Sequence, residues 1–191
     1  MSTDAKKVSV GKPMVGGAVH LAPAGTTPPT DATTALAAAF ADMGYISEDG
    51  VTNANERETE EIKAWGGDIV LTPQTGKKDT FTATFIESLN VNVLKAVYGD
   101  DNVTGDLATG IHVKSNAKEL PYGVWAFGMV LTEGALKRIV LPNAKITEVG
   151  EVSYTDSDAI GYECTITAFP DSGGDTHHEY IISAGSSDDS E

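Results

Sequence analysis

The sequence predicts a mainly β domain, a two-sheet sandwich or partial barrel with one flanking α-helix. Three observations carry this reading. Apolar and polar residues alternate from Thr80 to Phe85 within Asp79–Glu87 and from Tyr162 to Ala168 within Ile160–Phe169, the pattern of strands with one buried side. Turn-forming residues recur at strand-length spacing, at Asp100–Gly105, Glu133-Gly134, Pro142-Asn143 and Asp171–Asp175, as in sandwiches and barrels. Between them, Ser88–Tyr98 changes to a helical period.

Composition bounds the class. A chain of 191 residues, 40% of them hydrophobic, is long enough for one domain with arms and a sizeable core. Its 13 Lys and Arg stand against 28 Asp and Glu, a formal net charge of −15. That balance argues against nucleic-acid binding, which needs clustered cations on phosphates. The longest apolar run, around Val124–Leu131, is too short to span a bilayer, so no membrane insertion is expected. Lys6-Lys7 is not followed by an apolar core, and no secretory signal is read there. Cys164 is the only cysteine, which excludes an intrachain disulfide and fits a reducing compartment.

Residues 1–30 carry glycines and prolines without a sustained period and read as an N-terminal arm. Asp31–Met43 is Ala-rich, opens on a possible cap and closes on Gly44; Leu36, Phe40 and Met43 make one stripe, so a short docked helix is expected. Residues 44–64 hold five glutamates between Glu48 and Glu61 and few apolar anchors. They read as a long polar loop, of a length that is uncommon without a function.

Asp68–Thr72 and Asp79–Glu87 are expected to pair as a hairpin across Pro73–Lys78. Phe81, Ala83 and Phe85 form the buried side of the second strand, and Thr80, Thr82 and Thr84 the outer side. The helix over 88–98 is expected to be capped by Ser88, to pack Leu89, Val93, Ala96 and Val97, and to stop at Gly99. Gly110–Lys114 is a short strand. Gly123–Leu131 is apolar on both faces, which predicts a strand covered on both sides. Ala135–Leu141 and Lys145–Tyr154 are two more strands separated by a turn at Pro142-Asn143, with a possible bulge at Gly150. In Ile160–Phe169, Tyr162, Cys164, Ile166 and Ala168 face in, and Glu163, Thr165 and Thr167 face out. Asp171–Asp175 then closes a hairpin to Thr176–Ser183, and an acidic tail follows to 191.

No catalytic constellation emerges. Gly76-Lys77 lacks the first glycine and the Ser/Thr of a phosphate loop. His177 and His178 are adjacent on an expected strand, so they point to opposite faces and cannot easily share an ion. Asp156-Ser-Asp158 and Asp171–Asp175 do not match the EF-hand spacing. Cys164 sits on a regular apolar face, and no Gly-x-Ser-x-Gly turn occurs. The sequence therefore predicts no enzyme, no metal and no cofactor.

Several segments carry a family likeness when taken in order. Gly44-Tyr-Ile-Ser-Glu-Asp-Gly-Val51, Lys63-Ala-Trp-Gly-Gly67, Phe81-Thr-Ala-Thr-Phe85 with its helix, Leu141-Pro-Asn-Ala144 and Thr165-Ile-Thr-Ala-Phe-Pro-Asp171 resemble the major tail tube proteins of long-tailed bacteriophages. The likeness is closest for phages of actinobacteria. It implies a sandwich related in fold to the type VI secretion tube, with six subunits joined into a ring and rings stacked into a tube in the virion. Implied partners are other copies of the chain, the tape-measure protein, and tail terminator and tail tip proteins. The resemblance further implies passage of phage DNA without sequence-specific contact and assembly in the host bacterial cytoplasm. By position, 44–64 matches the loop that bridges rings, which makes Tyr45, Glu48, Asp49, Glu56, Arg57 and Glu60 candidate contacts. Residues 31–183 match the tube domain, flanked by arms at 1–30 and 184–191.

Carboxylates lining such a channel would repel DNA phosphates over ~8 Å at physiological salt. Glu87 and Glu163, both expected on strands, are the candidates to face it. The alternative is a carbohydrate- or cell-surface-binding sandwich with Trp65, Tyr122 and Trp125 as stacking platforms, although Trp125 lies in a run better suited to burial.

Overall fold

A computed structural model describes residues 3–183; the tail expected at 184–191 lies outside the described residues. Strands β1 (Lys12–Pro13), β2 (Val19–Pro23), β3 (Ala41–Asp42), β4 (Ile46–Thr59), β5 (Ile62–Lys63), β6 (Ile69–Leu71) and β7 (Gln74–Phe85) precede helix α1 (Val91–Tyr98). Strands β8 (Val103–Thr104), β9 (His112–Val113), β10 (Gly123–Val130), β11 (Leu136–Val149), β12 (Tyr162–Ala168) and β13 (His178–Ile182) follow it. One open sheet runs β3-β2-β10-β11-β12-β7-β4, with β1 added to β10 and β13 added to β11. Strands β5 with β6, and β8 with β9, make two small pairs.

The long strand β11 divides this sheet into two arms. Leu136–Val140 pairs with β13 and with β10, whereas Ala144–Val149 pairs with β12. Pro142-Asn143 lies where the register with β10 shifts between Gly123 and Trp125. It is not the turn expected from sequence. A proline fits there because a bulge needs no ladder donor at that point, and Asn143 still accepts a bond from the Phe169 N–H at 2.8 Å.

The arms face one another across a common core. Phe81 of β7 stacks on Phe127 of β10 at 5.4 Å between centroids, and Phe85 lies 6.3 Å from Trp125. Such aromatic pairs add about 0.5–1.5 kcal/mol beyond area burial. Ile139, Leu141, Cys164 and Ile166 complete the interior, together with Val93, Leu94 and Val97 of α1. A second cluster of Ala22, Phe40, Val124, Ala126 and Val140 covers the other face of β10, so that strand is buried on both sides as its sequence predicts.

Alternation also marks β7 and β12 correctly: Phe81, Ala83 and Phe85, like Tyr162, Cys164, Ile166 and Ala168, are all buried. The two strands pair directly, from Tyr162↔Phe85 to Ala168↔Asp79. Burial raises the Cys164 thiol to about 12, with the Glu163 charge adding to it, so the thiol stays protonated at neutral pH.

Several expectations are corrected. The 68–72 stretch does not pair with β7; β6 turns back on β5, and the partner of β7 is β4. The segment 44–64 is therefore no structureless loop, since a 14-residue strand occupies most of it. The Ala-rich stretch 31–43 forms no helix. Asp31 accepts the Thr33 and Thr34 N–H groups at 2.7 and 2.6 Å. Buried Arg138 takes the Asp31 and Thr34 carbonyls at 2.9 and 2.8 Å, oxygens that a helix would need internally. Asn90 caps α1 in place of Ser88, accepting the Asn92 N–H at 3.0 Å, and Leu89 before it is exposed. Gly150 ends β11 rather than bulging it, donating to the Glu163 carbonyl at 2.8 Å. Finally, β13 does not fold back on β12. Both lie antiparallel to β11, one after the other, so the Asp171–Asp175 turn is an excursion from a single interrupted edge.

Candidate assembly surface

The β4–β7 hairpin supplies the most unusual surface. Its strands pair from Val51↔Ala83 through Glu58↔Gly76 to Thr59↔Gln74. The last partner of β7 in β12 is Ala168, opposite Asp79. Beyond that point a two-stranded ribbon projects about 17 Å, at ~3.4 Å per residue. Residues 52–60 along β4 are all exposed. The other edge of β4 has no strand partner among the described residues, which leaves a long row of unpaired backbone groups.

A bulge near the root fixes the register. Between Ile46↔Phe85 and Val51↔Ala83 the β4 side carries extra residues, and Gly50 turns there with φ of 71°, a conformation costly for other residues. Glu48 and Asp49 are presented on this bulge and are exposed. Glu56 lies opposite Lys78 and Arg57 opposite Lys77 in the ladder, and Arg57 donates to Gln74 Oε1 at 2.9 Å. Glu60 closes the ribbon through its N–H on the Pro73 carbonyl at 3.0 Å. Tyr45, 76% exposed, precedes β4, far from the tip.

At the root sits a buried polar cluster that sequence reasoning missed. The Asp79 carboxylate is 1% exposed. It accepts Asn53 Nδ2 at 2.8 Å and a short bond from the Thr176 hydroxyl, and it lies 2.6 Å from His177 Nδ1. Lys77 Nζ donates to Thr176 Oγ1 at 2.9 Å. Burial alone would raise the Asp79 pKa, but the bonds from Thr176, Asn53 and His177 outweigh it and hold it low. Thr176 donates to the aspartate and not to the imidazole, so the cluster is a clamp and no nucleophile–base pair. The pattern of alternation offered no sign of it beyond one acidic residue at an inward position.

His177 and His178 do part, although His177 lies just before β13 and only His178 is in the strand. His178 Nε2 lies 3.3 Å from Asp171 Oδ2, and potential ligand atoms of Asp171, Asp175 and His178 come within 4.8 Å of one another. Asp171 Oδ1 is already engaged by the Gly173 and Asp175 N–H groups, which closes the turn without an ion.

The outward face of the β4-β7-β12 arm is dominated by threonine. Thr52, Thr82 and Thr165 lie side by side, as do Thr80 and Thr167, and Thr84 and Glu163. Thr147 Oγ1 meets Thr167 Oγ1 at 2.8 Å. Glu163 is exposed on this face. Glu87 is placed differently: it lies past the end of β7, half-buried, accepting the Tyr45 N–H and Asn90 Nδ2, both at 2.9 Å. That carboxylate braces the chain before β4 and does not stand on a strand.

The hairpin tip carries a patch whose burial would be expected from its composition. Ile62, Ile69, Val70 and Leu71 are exposed, and Trp65, next to Gly66-Gly67, is fully so at 107%. Trp125 is its opposite at 2%, which removes it as a sugar-stacking platform. Tyr122 is engaged by Lys145 Nζ, 4.8 Å from the ring centroid, and by the edge of Phe169. Among the described residues, no helix is long and apolar enough to cross a membrane.

The sequence matches the phage tail tube protein family over residues 1–187. The chain belongs to that family. No relative appears among curated protein sequences. Among solved structures, the chain is similar to the tube-terminating cap of the anti-feeding prophage, at 9% identity and a TM-score of 0.47. That match covers 95% of this chain and 100% of the cap. Family membership makes the protein a structural component of a phage tail, which accounts for a projecting hairpin and an open sheet edge better than any catalytic reading.

Proposed function

We propose that the protein closes into six-membered rings that stack into the tail tube, a virion channel for DNA. The observation that supports it best is the open edge of β4. A 14-residue strand with one unpaired side is suited to adding a neighbour's sheet, and repetition around a ring closes a shared barrel without free edges. The threonine face of β4, β7 and β12 then lines the channel. Short hydroxyl side chains offer DNA little to bind, and Glu163, Glu56 and Glu58 repel phosphate within ~8 Å. The cations on that face stand near carboxylates: Lys145 is paired with Glu119, and Lys78 lies opposite Glu56. Glu87, held by Tyr45 and Asn90, contributes little to this lining.

The hairpin, with Glu56, Arg57 and Glu60 along it, reaches the adjacent ring, and Glu48, Asp49 and Tyr45 lie at its root. Tape-measure, terminator and tip proteins are the remaining partners, met during assembly in the bacterial cytoplasm.

Negative-stain electron microscopy of the purified protein across a concentration series tests the proposal. Rings or hollow tubes of uniform diameter with six-fold symmetry are expected. Dispersed single chains at every concentration and salt, or open filaments without a lumen, would overturn it.

A further inference from the structure

Beside α1 lies a mostly apolar groove of about 500 Å³, lined by Ala39, Ala41, Met43, Ala96, Tyr122 and Trp125 among others. The alanines leave the space open. Trp125 contributes an almost wholly buried side chain whose Nε1 has no hydrogen-bond partner among the described residues. An orphaned indole N–H is uncommon in a finished interior.

The exposed tip of the hairpin is the complementary feature. Trp65 with Ile62, Ile69, Val70 and Leu71 forms an apolar knob of the kind that marks a contact site. Knob and groove stand at opposite ends of β7. The tip leaves from Gln74, while α1 begins just beyond Phe85, and its Tyr98 ring meets Tyr162, the ladder partner of Phe85. The 12 residues of β7 separate them by about 40 Å at ~3.3 Å per residue, so a tip cannot reach its own groove. A knob at one end and a groove at the other make a head-to-tail contact that propagates along one direction.

Resting on the tube reading above, we propose that the hairpin tip of one copy seats Trp65 in the α1-side groove of a copy in the adjacent ring. The occupant is thus a second copy of this chain. An indole buries about 150–250 Å², and the neighbouring tip residues cover the groove's rim.

Cross-linking of the full-length chain tests this. Ala64→Cys, next to the anchor, and Ala39→Cys, at the groove, are both at exposed positions, whereas the native Cys164 is wholly buried. The two variants are mixed, assembled and oxidised, then run on a non-reducing gel beside each variant alone. A dimer band is expected only in the mixture and only under assembling conditions. Trp65→Ala should raise the critical concentration for assembly ~tenfold or more, the loss typical of an aromatic anchor, while thermal unfolding of the dispersed chain stays unchanged. Tubes that form without the 64–39 cross-link, with Trp65→Ala assembling at the wild-type concentration, would overturn this contact and leave the tube reading intact. Failure of the wild-type chain to form any ring or tube would overturn both.

Discussion

His177 Nδ1 lies 2.6 Å from Asp79 Oδ2, although 98 residues separate the two in sequence. The contact ties the segment after β12 to the root of the β4–β7 hairpin. The projecting ribbon is two strands wide, and isolated ribbons of that kind are marginal in water. Its orientation therefore depends on this clamp.

Asp79→Ala is expected to lower folding stability by about 3 kcal/mol, since it strands Thr176, Asn53 and His177 around an emptied buried site. Asp79→Asn should cost less, about 1–2 kcal/mol, because it retains shape and one acceptor. Urea unfolding followed by tryptophan fluorescence measures both. Equal effects of the two substitutions would contradict the expected contribution of shape and the retained acceptor, and would leave the charge alone as what holds the clamp.

Acid sensitivity follows from the same group. The folded pKa of Asp79 is depressed, so its stabilising contribution is fully present above the unfolded value of ~3.9 and is lost as pH falls through the lower folded value. Asp31 acts with the same sign: the Thr34 hydroxyl, with the Thr34 and Thr33 amides, lowers it to about 2. The stability these two carboxylates contribute should stay level on acidification until about pH 4 and fall below it. Denaturant midpoints between pH 2 and 7 check this, and Asp79→Asn should flatten part of the acid limb.

Gly44 holds φ of 68°, and a Cβ there would lie 2.0 Å from the Glu87 carboxylate. Gly44→Ala should cost roughly 1–3 kcal/mol, through backbone strain and displacement of Glu87 from the Tyr45 N–H. Glu87→Ala should cost about 1–2 kcal/mol. The double variant should cost less than the sum, because the clash disappears with the carboxylate. Thermal melts of the three variants measure the coupling.

Assembly should be favoured by salt. Each copy carries a net charge of −15, and screening shortens from about 10 Å at 0.1 M to about 3 Å at 1 M. A fall of several-fold in critical concentration over that range, by sedimentation, is expected. Tubes that dissolve as salt rises would show that ion pairs between copies dominate.

The individual strands that bury one face were legible in the residues. Phe81-Thr-Ala-Thr-Phe85 and Tyr162–Ala168 announced their inward sides, Gly123–Leu131 its double burial, and 88–98 its helix, because each pattern reports how a local segment meets a core. The candidate assembly surface was legible only in outline. Glu56, Arg57 and Glu60 do lie on the projecting ribbon, but β4 is exposed along most of its length. A strand without a buried face has no alternation to display, so it read as a loop. Trp65 stood next to two glycines in the sequence, yet nothing local told an exposed tip from a buried corner.

What the sequence determined by itself was therefore the kind of element and the side of it that faces inward. The tertiary structure alone decided which elements meet: β7 with β4 instead of 68–72, β12 and β13 in line along β11, Pro142-Asn143 within a strand, Arg138 holding 31–34 away from a helix, and Asp79 with His177. Side-chain periodicity is set over a few residues by backbone geometry. Strand pairing and buried polar contacts are chosen by competition among distant segments for the same edges and the same core.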